Sequence, residues 1–245
     1  MNFKILLSFK RQLQLIVNIL ESQNNKQVYQ RKLLNKFIDR PVNFLIRHNI
    51  TPNQLSFLGF TCSLIFTVLL TFNMLHFSLW WGWIVPFFLF CAGAFDVFDG
   101  EVARRTERNT KAGAFLDSNL DRVSDGLIVI GMILGNLINY ITGFILIFLF
   151  MMISYIRTRA ENEGVEMIGI GLMERGERMI LLFFALIIEI WVHYFTIIFF
   201  GYPSPLFFQI FIIVFILLLI MTVLQRFFYS YKNLKHLDQI TRRNN

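Results

Sequence analysis

A chain of 245 residues is long enough for one soluble domain, but 56% hydrophobic content with 29 Phe is more than a soluble core of that size can bury. The formal net charge of +7 is therefore read as membrane topology, and no nucleic-acid partner is expected. The two cysteines, Cys62 and Cys91, each lie inside an apolar run, which argues against a disulfide framework and for small packing residues.

In chain order, the apolar stretch from Ile5 to Leu20 is broken by Lys10 and Arg11 and lacks a small-residue cleavage site, so no signal peptide is expected and insertion falls to the internal helices. Lys26–His48 mixes Arg31, Lys32, Lys36, Arg40 and Arg47 with Val28, Leu33, Leu34, Phe37, Phe44, Leu45 and Ile46. It reads as an interfacial amphipathic helix that Pro41 would kink or divide, the alternative being an ordinary basic flank that sets orientation. Thr51-Pro52-Asn53-Gln54 then carries a helix-start pattern: Thr as cap, Pro at the first helical position and Gln three residues after the cap.

An all-α integral membrane protein is predicted, with six spans at about Leu55–Thr71, Trp80–Glu101, Ala112–Leu134, Tyr140–Tyr155, Met179–Tyr194 and Leu206–Leu224. The connections near Asn73–His76, Gly135–Asn139 and His193–Ser204 carry no Lys or Arg. All 23 basic residues fall on or near the other side, counting Arg122 toward the start of the third span. The positive-inside rule makes that side cytoplasmic and places both termini there. The expected organisation is an N-terminal segment over 1–50, a six-helix unit over 51–228 and a polar cytoplasmic tail over 229–245, with no long-period repeat.

Five carboxylates stand beside or within two adjoining spans: Asp96 and Asp99 end the second, and Asp117, Asp121 and Asp125 begin the third. Charge at such positions is expensive unless it is used. Spacings of three (Asp96 to Asp99) and four (Asp117 to Asp121) put each pair on one helical face. The short Arg104–Lys111 link makes the two helices antiparallel neighbours, so four carboxylates meet near the cytoplasmic interface and repel one another without cations. Oxygen ligands without His or Cys favour Mg²⁺ or Mn²⁺ over zinc. Ala92, Gly93, Ala94, Gly100, Ala103, Ala112, Gly113 and Ala114 surround them; small residues admit a bulky ligand, and by themselves are equally the residues of plain membrane helix packing.

Asp96-Val97-Phe98-Asp99-Gly100-Glu101-Val102-Ala103-Arg104, eight further residues, Gly113, Asp117 and Asp121 match the pattern D-x2-D-G-x2-A-R-x8-G-x3-D-x3-D at all eight fixed positions. On these residues the chain resembles the CDP-alcohol phosphatidyltransferase family, and the wider resemblance runs from Thr51 to Phe228. The resemblance implies that the four aspartates bind two divalent ions holding the pyrophosphate of a CDP-linked lipid. An acceptor hydroxyl then attacks the phosphorus bearing the lipid, and CMP leaves. Asp96, Asp99 and Asp117 are the implied metal ligands, and Asp121 is both a ligand and the candidate catalytic base. Gly100, Ala103, Arg104 and Gly113 fall to the nucleotide. Asp125 lies beyond the pattern and is left unassigned. The resemblance also implies a homodimer and a multi-pass enzyme of the cell membrane with its active site at the cytoplasmic face.

Between the fourth and fifth expected spans, Tyr155-Ile-Arg-Thr-Arg-Ala-Glu161 and Glu174-Arg-Gly-Glu-Arg178 place Arg157, Arg159, Arg175 and Arg178. Arginine forks suit a phosphorylated acceptor, and both segments are similar to those of the branch that makes phosphatidylinositol phosphate or archaetidylinositol phosphate from inositol 1-phosphate. Arg157, Arg175 and Arg178 are accordingly expected at the acceptor phosphate, unless these arginines only set topology or pair with Glu161, Glu163, Glu174 and Glu177. Glycerol 3-phosphate is the rival acceptor, and either CDP-diacylglycerol or CDP-archaeol can be the donor. An ion-coupled transporter, the rival from another class, places its carboxylates near the membrane midplane and often repeats its halves, and this chain does neither.

Overall fold

The computed structural model describes residues 38–108, 110–204 and 206–244, with side chains through residue 239. The Ile5–Leu20 stretch and the 26–37 part of the expected amphipathic helix lie outside the described residues. By its internal contacts the chain divides into two units, Met1–Thr51 and Pro52–Asn245. In the first, a helix (α1) spans 38–47 and is not divided at Pro41. It closes at Asn49, whose left-handed backbone (φ 56°) turns its N–H onto the Ile46 carbonyl at 3.0 Å.

The second unit is a bundle of α2 (Pro52–Thr71), α3 (Ile84–Arg105), α4 (Lys111–Leu134), α5 (Tyr140–Asn162), α6 (Arg175–Phe200) and α7 (Leu206–Asn244), with 3₁₀ turns at Met74–His76 and Trp81–Trp83. No strand occurs among the described residues. Local chemistry sets several ends. The Thr110 side chain accepts from Gly113 N–H at 3.0 Å to start α4, and Asn139 accepts from Thr142 N–H at 2.8 Å to start α5. Gly201, with φ 80°, ends α6 in a left-handed cap.

The apolar residues do two jobs. Phe66, Leu70, Leu89, Met132, Leu146, Leu186, Ile190, Phe208 and Phe215 form one continuous buried core. The outward faces stay equally apolar, with Phe72, Trp80, Ile141, Phe144, Phe148, Ile198 and Ile213 all exposed, as a lipid-facing surface requires. Helices α2 and α3 pack on each other, α2 also packs on α4, and α5 packs on α7. The α2–α4 contact is close enough for Thr67 Oγ1 to donate to the Leu127 carbonyl at 2.8 Å. A Cβ on Gly131 would come within 2.9 Å of Thr67 Cα.

Among the described residues, five helical segments are long and apolar enough to cross a membrane: Pro52–Thr71, Trp81–Arg105, Tyr140–Asn162, Arg175–Phe200 and Leu206–Gln239. The remaining expected span, Ala112–Leu134, is helical throughout α4, but Lys111, Asp117, Asp121, Arg122 and Asp125 make its first half polar. Several helices also outrun the expected spans. Helix α5 continues past Tyr155 to Asn162, α6 begins at Arg175 and ends at Phe200, and α7 runs on to Asn244 through the expected polar tail. An apolar run stops at the first charge, but a helix need not. Arg157–Glu161 at 3.0 Å and Arg159–Glu163 at 2.5 Å are i,i+4 pairs that support the polar end of α5.

Candidate active site

Helix α3 delivers Asp96 and Asp99, and α4 delivers Asp117, Asp121 and Asp125. The two helices are not the direct neighbours their short link suggests, since each packs on α2 instead, and their carboxylates meet beside Ser56 of that helix. Asp96, Asp99 and Asp117 each present one oxygen within 4.8 Å of the others. Asp99 is 5% exposed, and its Oδ2 accepts from the Ser56 hydroxyl at 2.7 Å, which ties α2 into the site. Asp117 Oδ1 is buried without a hydrogen-bond partner. Three converging carboxylates, with a buried oxygen of Asp117 left unpartnered, fit a hard divalent cation such as Mg²⁺ or Mn²⁺.

Asp121 stands beside this trio within a second network. Arg175 Nη1 contacts both Asp96 and Asp121, and its Nε lies 3.5 Å from Asp125 Oδ1. Arg178 Nη2 lies 3.0 Å from Asp125 Oδ2. The sequence reading kept the arginines and the metal-binding aspartates apart; the structure joins them. Helix α6 starts at Arg175, so its first turn points two guanidinium groups at α4.

Among the described residues, three sizeable hollows border the cluster. The largest, about 490 Å³, is polar and contains Asp117, Asp121, Arg122, Asp125, Arg157, Arg175, Arg178 and Arg226 in its wall. All three arginines expected at the acceptor phosphate therefore face one cavity. Arg178 is 8% exposed, its guanidinium carbon lies 4.4 Å from the centre of the Phe150 ring, and its Nε and Nη1 have no hydrogen-bond partner. Buried donors in that state suit an anion. Arg157 reaches the same cavity while pairing with Glu161.

The second hollow, about 250 Å³, is lined by Asn53, Ser56, Asp99, Gly100, Ala103, Arg108, Thr110, Gly113 and Asp117. A Cβ on Gly113 would sit 3.0 Å from Thr110 Oγ1 and 3.2 Å from Asn53 Oδ1, tight enough that those side chains would have to shift by a few tenths of an ångström. Arg104 does not line this hollow. Its guanidinium is exposed and bonds Glu101 through Nε (3.1 Å) and Nη2 (2.7 Å), while Arg108 takes the lining position. The third, an apolar groove of about 330 Å³ between α3 and α6, is walled by Leu89, Phe90, Met179, Ile180, Phe183 and Phe184 and ends at Asp96. Asp96 borders groove and cavity alike, and Asp117 borders the cavity and the second hollow.

Several of these residues were not foreseen. Ser56 carries no signal in sequence, Asn53 was read only as part of the Thr51–Gln54 helix start, and Arg108 lay unremarked in a basic link. Arg226 had a signal, a cation within the last apolar helix. Its Nε donates to the Ile170 carbonyl at 2.8 Å and its Nη1 to the Ile153 carbonyl at 2.9 Å, pinning the segment before α6 against α5.

Residues 49–232 match the sequence profile of the CDP-alcohol phosphatidyltransferase family. Archaetidylinositol phosphate synthase of Methanothermobacter thermautotrophicus is 39% identical over 147 residues, 60% of this chain and 69% of that protein. The Pyrococcus horikoshii enzyme of the same name is 40% identical over 137 residues, 56% of this chain and 69% of its own length. Phosphatidylinositol phosphate synthase of Streptomyces avermitilis is 34% identical over 160 residues, 62% and 63% of the two chains. Among solved structures, Mycobacterium tuberculosis phosphatidylinositol phosphate synthase with CDP-DAG bound superposes with a TM-score of 0.60 at 26% identity, covering 80% of this chain and 94% of that one. Its complex with manganese and citrate gives 0.61 at 27% identity, covering 79% and 88%.

Proposed function

The chain belongs to the CDP-alcohol phosphatidyltransferase family, and from that premise we propose that it transfers a phosphatidyl-type group from a CDP-linked lipid to inositol 1-phosphate and releases CMP. The observation that carries the acceptor is the polar cavity, where Arg157, Arg175 and the partly unpaired Arg178 share one space with Asp121. The arginines hold the acceptor's phosphate, and charge-assisted bonds of this kind contribute about 1.5–3 kcal/mol each. That anchoring turns an acceptor hydroxyl toward Asp121, which takes its proton as the hydroxyl oxygen bonds to the lipid-bearing phosphorus. The bond from that phosphorus to the CMP oxygen breaks, and CMP carries away the electron pair.

Asp96, Asp99 and Asp117, with Asp121 as the fourth aspartate of the pattern, are the residues that hold the two divalent ions. When bound, these supply Lewis-acid relief of the charge that grows on the departing phosphate. Ser56 keeps Asp99 oriented. The hollow beside Gly100, Ala103 and Gly113 takes the nucleotide, with Arg108 at its wall and Arg104 outside it. The groove ending at Asp96 takes a lipid chain and brings the donor's phosphates to the carboxylates. It recognises only apolar length, so CDP-diacylglycerol and CDP-archaeol both fit. The same reading makes α4 the sixth span, sets both termini and the site at the cytoplasmic face of the cell membrane, and has the enzyme act as a homodimer. The charge-free connections at the end opposite the aspartates support the orientation.

The test is CMP release by the purified protein with Mg²⁺ and either donor, comparing inositol 1-phosphate, glycerol 3-phosphate and free inositol. Selective stimulation by inositol 1-phosphate is expected. Preference for glycerol 3-phosphate or for an unphosphorylated alcohol overturns the acceptor assignment while leaving the reaction class.

A further inference from the structure

At the other end of the bundle, away from the residues of the candidate active site, lies a second cluster of metal-ligating side chains. His76 closes the 3₁₀ turn between α2 and α3, and Glu189 and His193 stand one helical turn apart on α6. Fourteen residues separate Arg175 from Glu189, about 21 Å along the helix at 1.5 Å per residue, so this cluster and the aspartates do not share a site.

One ligand atom from each of His76, Glu189 and His193 lies within 4.8 Å of the other two. The polar inventory gives an independent pointer. Glu189 is 3% exposed, yet its Oε2 has no hydrogen-bond partner. His76 Nε2 is also buried and unpartnered, 3.5 Å from Glu189 Oε1. A carboxylate buried in an apolar helix without its hydrogen bonds filled is costly, and such groups in membrane helices are kept where they are used. The His76 and His193 rings lie face to face, 4.0 Å between centroids, and Tyr194 Oη donates to the His76 carbonyl at 3.0 Å, which holds the turn against α6.

We propose that His76, Glu189 and His193 bind a zinc-class divalent cation that fastens the α2–α3 turn to α6. Two imidazoles and one carboxylate form a donor set suited to Zn²⁺ rather than Mg²⁺. Tetrahedral bonds of about 2.0–2.1 Å place donor atoms about 3.4 Å apart, so side-chain rotation of roughly an ångström closes the present spacing. The His76 side chain is 20% exposed, which leaves the fourth position to water.

The test uses full-length purified protein dialysed against Zn²⁺ in excess Mg²⁺, so that the aspartates hold the hard ion, followed by metal analysis and Co²⁺ substitution read by visible absorption. One Zn²⁺ retained per chain and a tetrahedral Co²⁺ spectrum are expected. Both should be lost in His193→Asn, at a half-buried position, and in Glu189→Gln, which keeps the side-chain shape. Affinity should fall at least tenfold to a hundredfold, roughly the range seen when residues that merely support ligands are removed. Zn²⁺ should also raise the unfolding temperature of the parent protein and leave both variants unmoved. No Zn²⁺ retained by the parent protein, or equal retention by the two variants, overturns the proposal.

Discussion

Arg178 Nη2 lies 3.0 Å from Asp125 Oδ2, and this largely buried pair joins the first turn of α6 to α4 one turn beyond Asp121. Asp125, which the family pattern does not include, thereby has a structural reason to be present. It supplies the countercharge for an arginine whose Nε and Nη1 are buried without hydrogen-bond partners. Removing one partner of a buried pair costs about 3–5 kcal/mol because the other charge is stranded. Asp125→Asn should therefore lower stability by about that amount. The double variant Asp125→Leu, Arg178→Met should recover most of it, as thermal unfolding in detergent will measure.

Replacing Arg178 by Gln should raise KM for a phosphorylated acceptor by about ten- to a hundredfold, the equivalent of one charge-assisted hydrogen bond. The donor's KM should change little, since Arg178 lines the polar cavity and neither the apolar groove nor the hollow beside Gly113. Steady-state kinetics with each substrate varied in turn separate the two.

Ser56→Ala removes the hydroxyl that donates to Asp99 Oδ2 at 2.7 Å. A group that orients a metal ligand is worth about 10–100-fold in metal affinity. The Mg²⁺ concentration for half-maximal CMP release should rise by that factor, with activity largely restored at saturating metal.

Gly131→Ala tests the α2–α4 contact that sets the site's geometry. The added methyl would meet the Thr67 backbone at 2.9 Å, where no flexible side chain can yield. Overpacking of this sort costs about 1–3 kcal/mol, so the unfolding temperature should fall and the separation of α2 from α4 should increase.

Much of the site was legible in the sequence, and for a physical reason. Carboxylates that share one helical face recur at three and four residues, so Asp96, Asp99, Asp117 and Asp121 could be grouped before any coordinates, although their helices meet through α2 and not directly. The contacts of Arg175 with Asp96 and Asp121 were not legible, because they depend on where α6 begins relative to α4 across a long intervening segment. Ser56 was hidden in an apolar helix where a serine has many ordinary uses. Arg104 matches the family pattern, but a neighbouring Glu101 one turn away captures its guanidinium, a local pairing that the pattern does not encode. The helix ends at Asn162 and Asn244 were missed because apolar length measures the membrane, whereas a helix can continue through a polar end, as α5 does with its own i,i+4 pairs; α6 instead stays apolar up to its left-handed cap at Gly201.

The most direct test of the central claim is CMP release from CDP-diacylglycerol or CDP-archaeol with inositol 1-phosphate, with and without Mg²⁺ or Mn²⁺, for the parent protein and for Asp96→Asn, Asp117→Asn and Asp121→Asn. Metal-dependent release by the parent protein, and its loss in all three variants while they still insert in the membrane, is the predicted result. Release that is independent of metal, or normal turnover in the aspartate variants, would contradict the account.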